Sequence, residues 1–155
     1  MPALPIDLTT GLFLAHLAAT LTMFGVILVI QVVHYPLFDH VGTQTYSAYQ
    51  SSHMTRITWI VLPAMGIELV TAGWLAWNPL PSLPEWMTSL GFVLVVLIWT
   101  STALVQAPLH ARLTKGFDPD LHRRLVVTNW FRTVAWAFRT ALVLWMTGKM
   151  ITVGP

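Results

Sequence analysis

The sequence predicts an all-α fold: an integral membrane bundle of four transmembrane helices in up-down order, with both termini on the non-cytoplasmic side. Three observations predict it. Hydrophobic residues make up 55% of the 155 positions, only 9% are charged, and the apolar residues gather into four long segments. An ordinary soluble domain carries roughly 25% charged residues, so this chain lacks the polar material to coat a water-exposed surface. Its length gives room for one domain, residues 1–155, and little else.

The four segments lie near 10–33, 57–77, 86–108 and 125–147. Each is close to the roughly 20 residues that cross a hydrocarbon core as a helix, the form that satisfies its own backbone in lipid. No Lys or Arg precedes the first segment, its apolar stretch is too long for a signal peptide, and no small-residue cleavage site follows, so it is expected to stay as an anchor. His34-Tyr35-Pro36 predicts the end of helix 1, because a residue before proline is pushed out of the helical region. Residues 43–54 contain no breaker and extend helix 2 beyond the lipid. Pro63, inside helix 2, predicts a kink and a freed carbonyl. Asn78-Pro79-Leu80-Pro81 ends helix 2, and Ser82, Pro84 and Glu85 open helix 3. In Gly116-Phe117-Asp118-Pro119, Asp118 is placed to cap helix 4 and Pro119 to fill its first position, so helix 4 also starts outside the lipid. No internal repeat, low-complexity segment or second domain is visible.

Eight Lys and Arg against six Asp and Glu leave a net charge of +2, which is no nucleic-acid signature. Placement matters more. Arg112, Lys115, Arg123 and Arg124 all fall between helices 3 and 4, whereas 78–85 holds no Lys or Arg. Positive loops stay in the cytoplasm, which predicts a multi-pass protein of the bacterial inner (plasma) membrane. The absence of cysteine excludes disulfides, thiolate ligands and a Cys redox relay, so redox chemistry would need a cofactor.

Four polar pairs mark the candidate site: Gln31 and His34, His53 and Arg56, Gln106 and His110, Asn129 and Arg132. Spacings of three and four put each pair on one helical face. All four fall at the predicted cytoplasmic ends of their helices, which points to a convergent pocket. Asn129, Arg132, Trp136 and Arg139 share a stripe about 80° wide on helix 4. An ionisable residue inside a membrane is costly and seeks a partner, so Glu68 is expected to pair with Arg139 or Arg132. On this reading His34, His53, His110, Arg132 and Glu68 carry the chemistry. Gln31, Arg56, Gln106, Asn129, Trp136 and Arg139 hold a ligand or cofactor. The trio His34, His53 and His110 would ligate a metal or haem, or shuttle protons. The choice between haem, a His-ligated metal ion and no cofactor stays open.

Each residue also has a plainer role. A Glu–Arg pair can fix helix register, and His16, His40 and His122 can bond headgroups or loop backbone. Trp77, Trp86 and Trp145 suit an interfacial aromatic belt, while Trp130 and Trp136 suit packing or the wall of a flat ligand. Neither HExxH nor a paired ExxH pattern is present, so a zincin or di-iron carboxylate site has no motif.

HYPLF at 34–38, HMTRITWIVLPAMGIE at 53–68, QAPLHARL at 106–113 and TNWFRTVAWAFR at 128–139 resemble a set of uncharacterised bacterial four-helix integral membrane proteins over nearly the whole chain. That resemblance implies the architecture and the choice of residues. Met54-x-Arg56 followed by Pro63-Ala64-Met65, with 124–129 opening helix 4, is distantly similar to the haem-binding, membrane-embedded protoporphyrinogen oxidases, and implies His16 or His53 as a haem ligand. That family has an LPRLF-like end to helix 1 and an Asn-Glu-x-Pro sequence on helix 4, both missing here. Pro108-Leu109-His110-x-x-Leu113 is distantly similar to anthrone-oxygenase-like proteins.

The function expected from these residues is a membrane-embedded enzyme, an oxidoreductase acting on a lipophilic planar or anionic small molecule at a cytoplasmic His/Arg/Gln/Asn pocket. Its partners would be membrane lipids, that small molecule, and copies of itself or a larger membrane complex. The alternative is a non-catalytic subunit of a respiratory or photosynthetic complex that binds lipid, pigment or partner helices. A transporter has less support, since four helices show neither inverted repeats nor pairs of broken helices.

Overall fold

The computed structural model describes residues 8–153, and every regular element among them is helical. Four long helices follow one another. They are α1 (Leu8–Phe38), α2 (Thr43–Trp77), α3 (Glu85–Leu113) and α4 (Pro119–Val153). They close into a ring in which α1 and α3 each pack against both α2 and α4. The short connections 39–42 and 114–118 lie at one end of the bundle and 78–84 at the other. α1, α2 and α3 are long and apolar enough to cross a membrane. α4 matches α2 at 35 residues, but Arg123, Arg124, Arg132 and Arg139 interrupt its apolar run.

Local sequence explains the joints. Asp118 Oδ1 accepts the Asp120 and Leu121 backbone N–H groups, both at 3.0 Å, and so caps α4 as expected. α2 begins at Thr43, directly after Gly42, and its N-terminal turns project past the apolar segment. α2 also runs through Pro63 as one helix.

Two expected helix ends are corrected. α1 continues past His34-Tyr35-Pro36 to Phe38, and α3 continues past 108 to Leu113, because each contains a π turn, at Ile30–His34 and Thr102–Gln106. Proline lacks an N–H and its ring clashes with the carbonyl four residues back. In both helices the residue before proline bonds one position further back instead. Tyr35 N–H bonds the Ile30 carbonyl and Ala107 N–H bonds the Thr102 carbonyl. The wider turn admits Pro36 and Pro108 without ending the helix.

These joints also reveal a repeated layout that residue identities conceal. Val33-x-x-Pro36-Leu37 in α1 and Val105-x-x-Pro108-Leu109 in α3 follow π turns at the same offset. α2 and α4 share a length, and His53-x-x-Arg56 is echoed by Asn129-x-x-Arg132.

The interior is layered along the bundle. Phe13, Leu75, Met87 and Val143 fill the layer beside the 78–84 connection. Met23, Ile27, Met65, Ile98 and Trp136 fill the middle, and Tyr35, Phe38, Tyr46, Leu113 and Leu125 fill the opposite end. Two polar layers separate the three. Along α1 the first is His16 and Thr20 and the second is Gln31. Along α4 they are Arg139, then Arg132 and Asn129.

Candidate functional site

The second polar layer borders a half-open cavity of about 200 Å³ between α1, α2 and α3, with Arg132 reaching in from α4. Met23, Ile27, Val61 and Met65 give it apolar walls, while Tyr35, His53, Gln106, His110 and Arg132 supply its polar groups. Arg132 is only 6% exposed. Its Nη1 donates to Asn129 Oδ1 at 3.0 Å, and its Nε has no partner. Among the described residues no carboxylate lies within ion-pair distance of it. Its guanidinium carbon sits 5.1 Å from the centre of the Trp136 ring, a cation–π contact.

Gln31 and Asn129 stand behind Arg132 and aim it. Asn129 Nδ2 donates to Gln31 Oε1 at 2.7 Å, and Gln31 Nε2 donates to the Val126 carbonyl at 3.2 Å. With its own Oδ1 bonded to Nη1, Asn129 holds the guanidinium at the cavity wall, while Nε is buried without a partner. Gln106 lines the cavity with its amide held by Ser101 Oγ at 3.0 Å and by Thr128 Oγ1 at 3.4 Å.

His110 lies on the cavity wall between two groups absent from the sequence expectations. Gln50 Nε2 is 2.8 Å from its Nδ1, and Tyr35 Oη is 3.0 Å from its Nε2. With the Gln50 amide donating, a neutral imidazole keeps its proton on Nε2 and donates it to Tyr35 Oη. The phenol proton is then available to a molecule in the cavity. Tyr35 could have been found from its spacing of four from Gln31. Gln50 gave no signal, since it stands in the polar extension of α2.

His34 and His53 bond each other, Nε2 to Nδ1 at 2.9 Å. Their ring centres lie 4.6 Å apart, and those of His53 and His110 lie 6.2 Å apart. The three expected histidines are therefore neighbours. As a ligand set they are not assembled: among the described residues no group of three or more His, Asp or Glu side chains is arranged to hold a metal ion. The physical reason is that His110 uses both ring nitrogens on Gln50 and Tyr35, and His34 turns its Nε2 to His53.

His34 and Arg56 border a second space, an open groove of about 610 Å³ between α1 and α2. Arg56 Nε reaches Ser52 Oγ at 3.3 Å.

Glu68, Arg139 and Trp136 fall in the other polar layer or on its border. Of the two expected pairings for Glu68, the structure forms the one with Arg139, Nε to Oε1 at 2.9 Å. Thr20 Oγ1 donates to the same carboxylate oxygen at 2.9 Å, and the Trp136 indole donates to the other at 3.1 Å. Arg139 also donates from Nη1 to the Gly91 carbonyl, and its Nη2 lies 3.3 Å from His16 Nε2. His16 Nδ1 in turn meets Thr71 Oγ1 at 2.8 Å. Every charged group here is matched, and neither Glu68 nor Arg139 lines the 200 Å³ cavity. Trp136 joins the layers, with its edge on Glu68 and its face under Arg132. His16, buried at 3% exposure with both ring nitrogens engaged, does not fit a haem ligand. His122 pairs with Asp39 at 2.8 Å and ties the first turn of α4 to the 39–42 connection.

No protein-family model, curated protein or solved structure matches this chain. The function rests on the site itself.

Proposed function

We propose that this protein is a membrane-embedded enzyme that binds a lipophilic small molecule through an anionic or carbonyl oxygen in the cavity of Arg132. One observation carries the reading: a buried guanidinium, with no carboxylate among the described residues to neutralise it, borders a cavity whose other polar groups, Tyr35, His53, Gln106 and His110, are uncharged or hydrogen-bonding side chains set in apolar walls. Burying an unpaired charge costs several kcal/mol. An anionic or strongly polar oxygen on a ligand offsets that cost and gains charge-assisted hydrogen bonds. His110, Tyr35 and His53 then lie where a proton would be given or taken.

The reaction class we assign is oxidation–reduction of a planar, quinone-like or aromatic substrate. Converting a carbonyl oxygen to a hydroxyl takes up protons at the oxygen and builds charge there, tasks suited to His110 with Tyr35 and to Arg132. The reduction consumes two electrons and two protons, and the electrons would be delivered by a hydride donor of the nicotinamide or flavin class that comes from outside this chain. All four helices cross the inner membrane in this reading. α4 supports it by burying Asn129, Arg132, Trp136 and Arg139 while presenting Val127, Phe131, Val134, Phe138 and Leu144 outward.

The test is to purify wild type and Arg132→Gln in mild detergent from the same membranes and identify the small molecules each releases. An aromatic or carboxylate-bearing compound retained by wild type and lost from the variant supports the site. Identical extracts overturn it. With that compound in hand, His110→Ala is expected to lower turnover at least a hundredfold with little change in binding, the usual contribution of a general acid or base.

The non-catalytic subunit remains the second reading, favoured by the outward aromatic surface of α4 at Trp130, Phe131 and Phe138. Co-purification with other chains at fixed stoichiometry would favour it.

A further inference from the structure

The inner cavity is too small for a whole ligand. Drug-sized molecules occupy roughly 300–1,000 Å³, and this space measures about 200 Å³. The open groove between α1 and α2 adds about 610 Å³ beside it. Val26, Ile30, His53 and Ile57 line both, so the two spaces are neighbours that share these four side chains as a wall. The groove is apolar over most of its length. Val29 and Ile60 flank it with large exposed faces. At Gly25 the floor is open, since a Cβ built there would meet nothing within 4 Å. At its polar end stand His34 and Arg56, a cation that no carboxylate among the described residues pairs with.

We infer that the ligand carries an apolar tail, that its polar head occupies the Arg132 cavity, and that the tail lies in the α1–α2 groove past Gly25. The inference rests on the Arg132 site proposed above and names the class of its ligand: a membrane-dissolved amphiphile, with an oxygen-bearing head on an alkyl or isoprenoid-like chain. Such a molecule reaches the cavity sideways from the bilayer without its tail entering water, its head passing between Val26 and Ile30 of α1 on one side and His53 and Ile57 of α2 on the other. Arg56 attracts an anionic head toward the polar end of the groove. Lipid is as apolar as the groove, so the tail gains little free energy by moving between them. The groove therefore selects by shape, admitting a slender chain that leads out of the cavity.

The test uses the full chain in nanodiscs of one lipid composition, titrated with benzoate and with para-octylbenzoate. Membrane partitioning of each probe is the same for every variant, so ratios between variants isolate the protein's part. Wild type is expected to bind both probes, and Arg132→Gln to weaken both at least tenfold. Gly25→Trp fills the groove floor, and the affinity for the octyl probe relative to benzoate is expected to fall at least tenfold. Ile60→Trp, at an exposed position on the opposite wall, is expected to lower the same ratio and serves if Gly25→Trp does not fold. An unchanged ratio in the tryptophan variants, with benzoate binding still dependent on Arg132, overturns the tail placement and leaves the head site standing. Binding of both probes that ignores Arg132→Gln, or no binding by wild type, removes the head site and the tail placement together.

Discussion

Arg132 and Arg139 are separated by two helical turns on the same face of α4, yet their surroundings differ in kind. Arg139 meets Glu68, a backbone carbonyl and His16, so its charge is offset within the protein. Arg132 rests on one amide oxygen and an aromatic face, with a donor left over. Arg139→Met strands the Glu68 carboxylate in the core and is expected to cost roughly 3–5 kcal/mol, the usual penalty for breaking a buried pair. Adding Glu68→Leu to it should recover much of that loss. Arg132→Met removes an unpaired buried charge and is expected to leave the ligand-free protein as stable as wild type, or more so, within about 1 kcal/mol. Thermal unfolding of purified variants in one detergent checks the contrast; equal losses at both positions would mean that Arg132 is also held by an internal partner. Sequence spacing was enough to place both arginines on an inward stripe and to narrow the partner of Glu68 to two candidates. It could not separate the two roles, because which arginine reaches Glu68 depends on how α2 and α4 are offset along their axes.

At the level of single helices, the joints that use side-chain caps were readable and those that use altered backbone bonding were not. Asp118-Pro119 names its own structure: the carboxylate takes two free N–H groups, and proline fills a position where no N–H is needed. Asp118→Ala is accordingly expected to destabilise the protein by about 1 kcal/mol, within a range of about 0.5–2, whereas Asp118→Asn should retain most of the cap. Chemical denaturation of the two variants side by side separates capping from charge. Pro36 and Pro108 are the opposite case. A residue before proline ordinarily leaves the helix, but a π turn removes the clash, and nothing in the residue types of 30–34 or 102–106 announces one. The consequence reaches the site. The π turn in α1 sets Ile30 and Tyr35, five residues apart, into the same packed layer, and the phenol thereby meets His110. Undoing the π turn of α3 with Pro108→Ala is expected to rotate His110 away from Tyr35 and Gln50 and to weaken ligand binding without unfolding the bundle. Calorimetric titration with the compound retained by wild type reads that loss, and wild-type affinity in the variant would show that proline is not what holds the turn.

For the molecule as a whole, composition and the four apolar segments were enough to expect helices and a bundle, and three of the helices meet the length and apolarity for crossing a membrane. α4 fails that measure because its arginines are counted along the chain, whereas in the ring Arg132 and Arg139 point inward. A bundle placed in lipid therefore presents an apolar α4 surface even though four arginines interrupt its sequence. The paired hairpins, each a π-bearing helix followed by a 35-residue helix, escaped sequence comparison because they share bonding patterns more than residues. Topology supplies the decisive test. Arg112, Lys115, Arg123 and Arg124 surround the 114–118 connection and none of the residues 78–84 is Lys or Arg, so the positive-inside rule predicts the first connection in the cytoplasm and the second outside. The chain contains no cysteine, so single cysteines report without background. Lys115→Cys is expected to react with a membrane-impermeant maleimide only after the cells are opened, and Ser82→Cys to react in intact cells. The two positions flank α3, so opposite labelling shows that α3 crosses. A third cysteine at Lys149, near the far end of α4, decides the remaining helix. Labelling in intact cells means that α4 crosses with its arginines inside the bundle, and labelling only after opening means that α4 lies outside the bilayer and that the Arg132 cavity faces water instead of lipid.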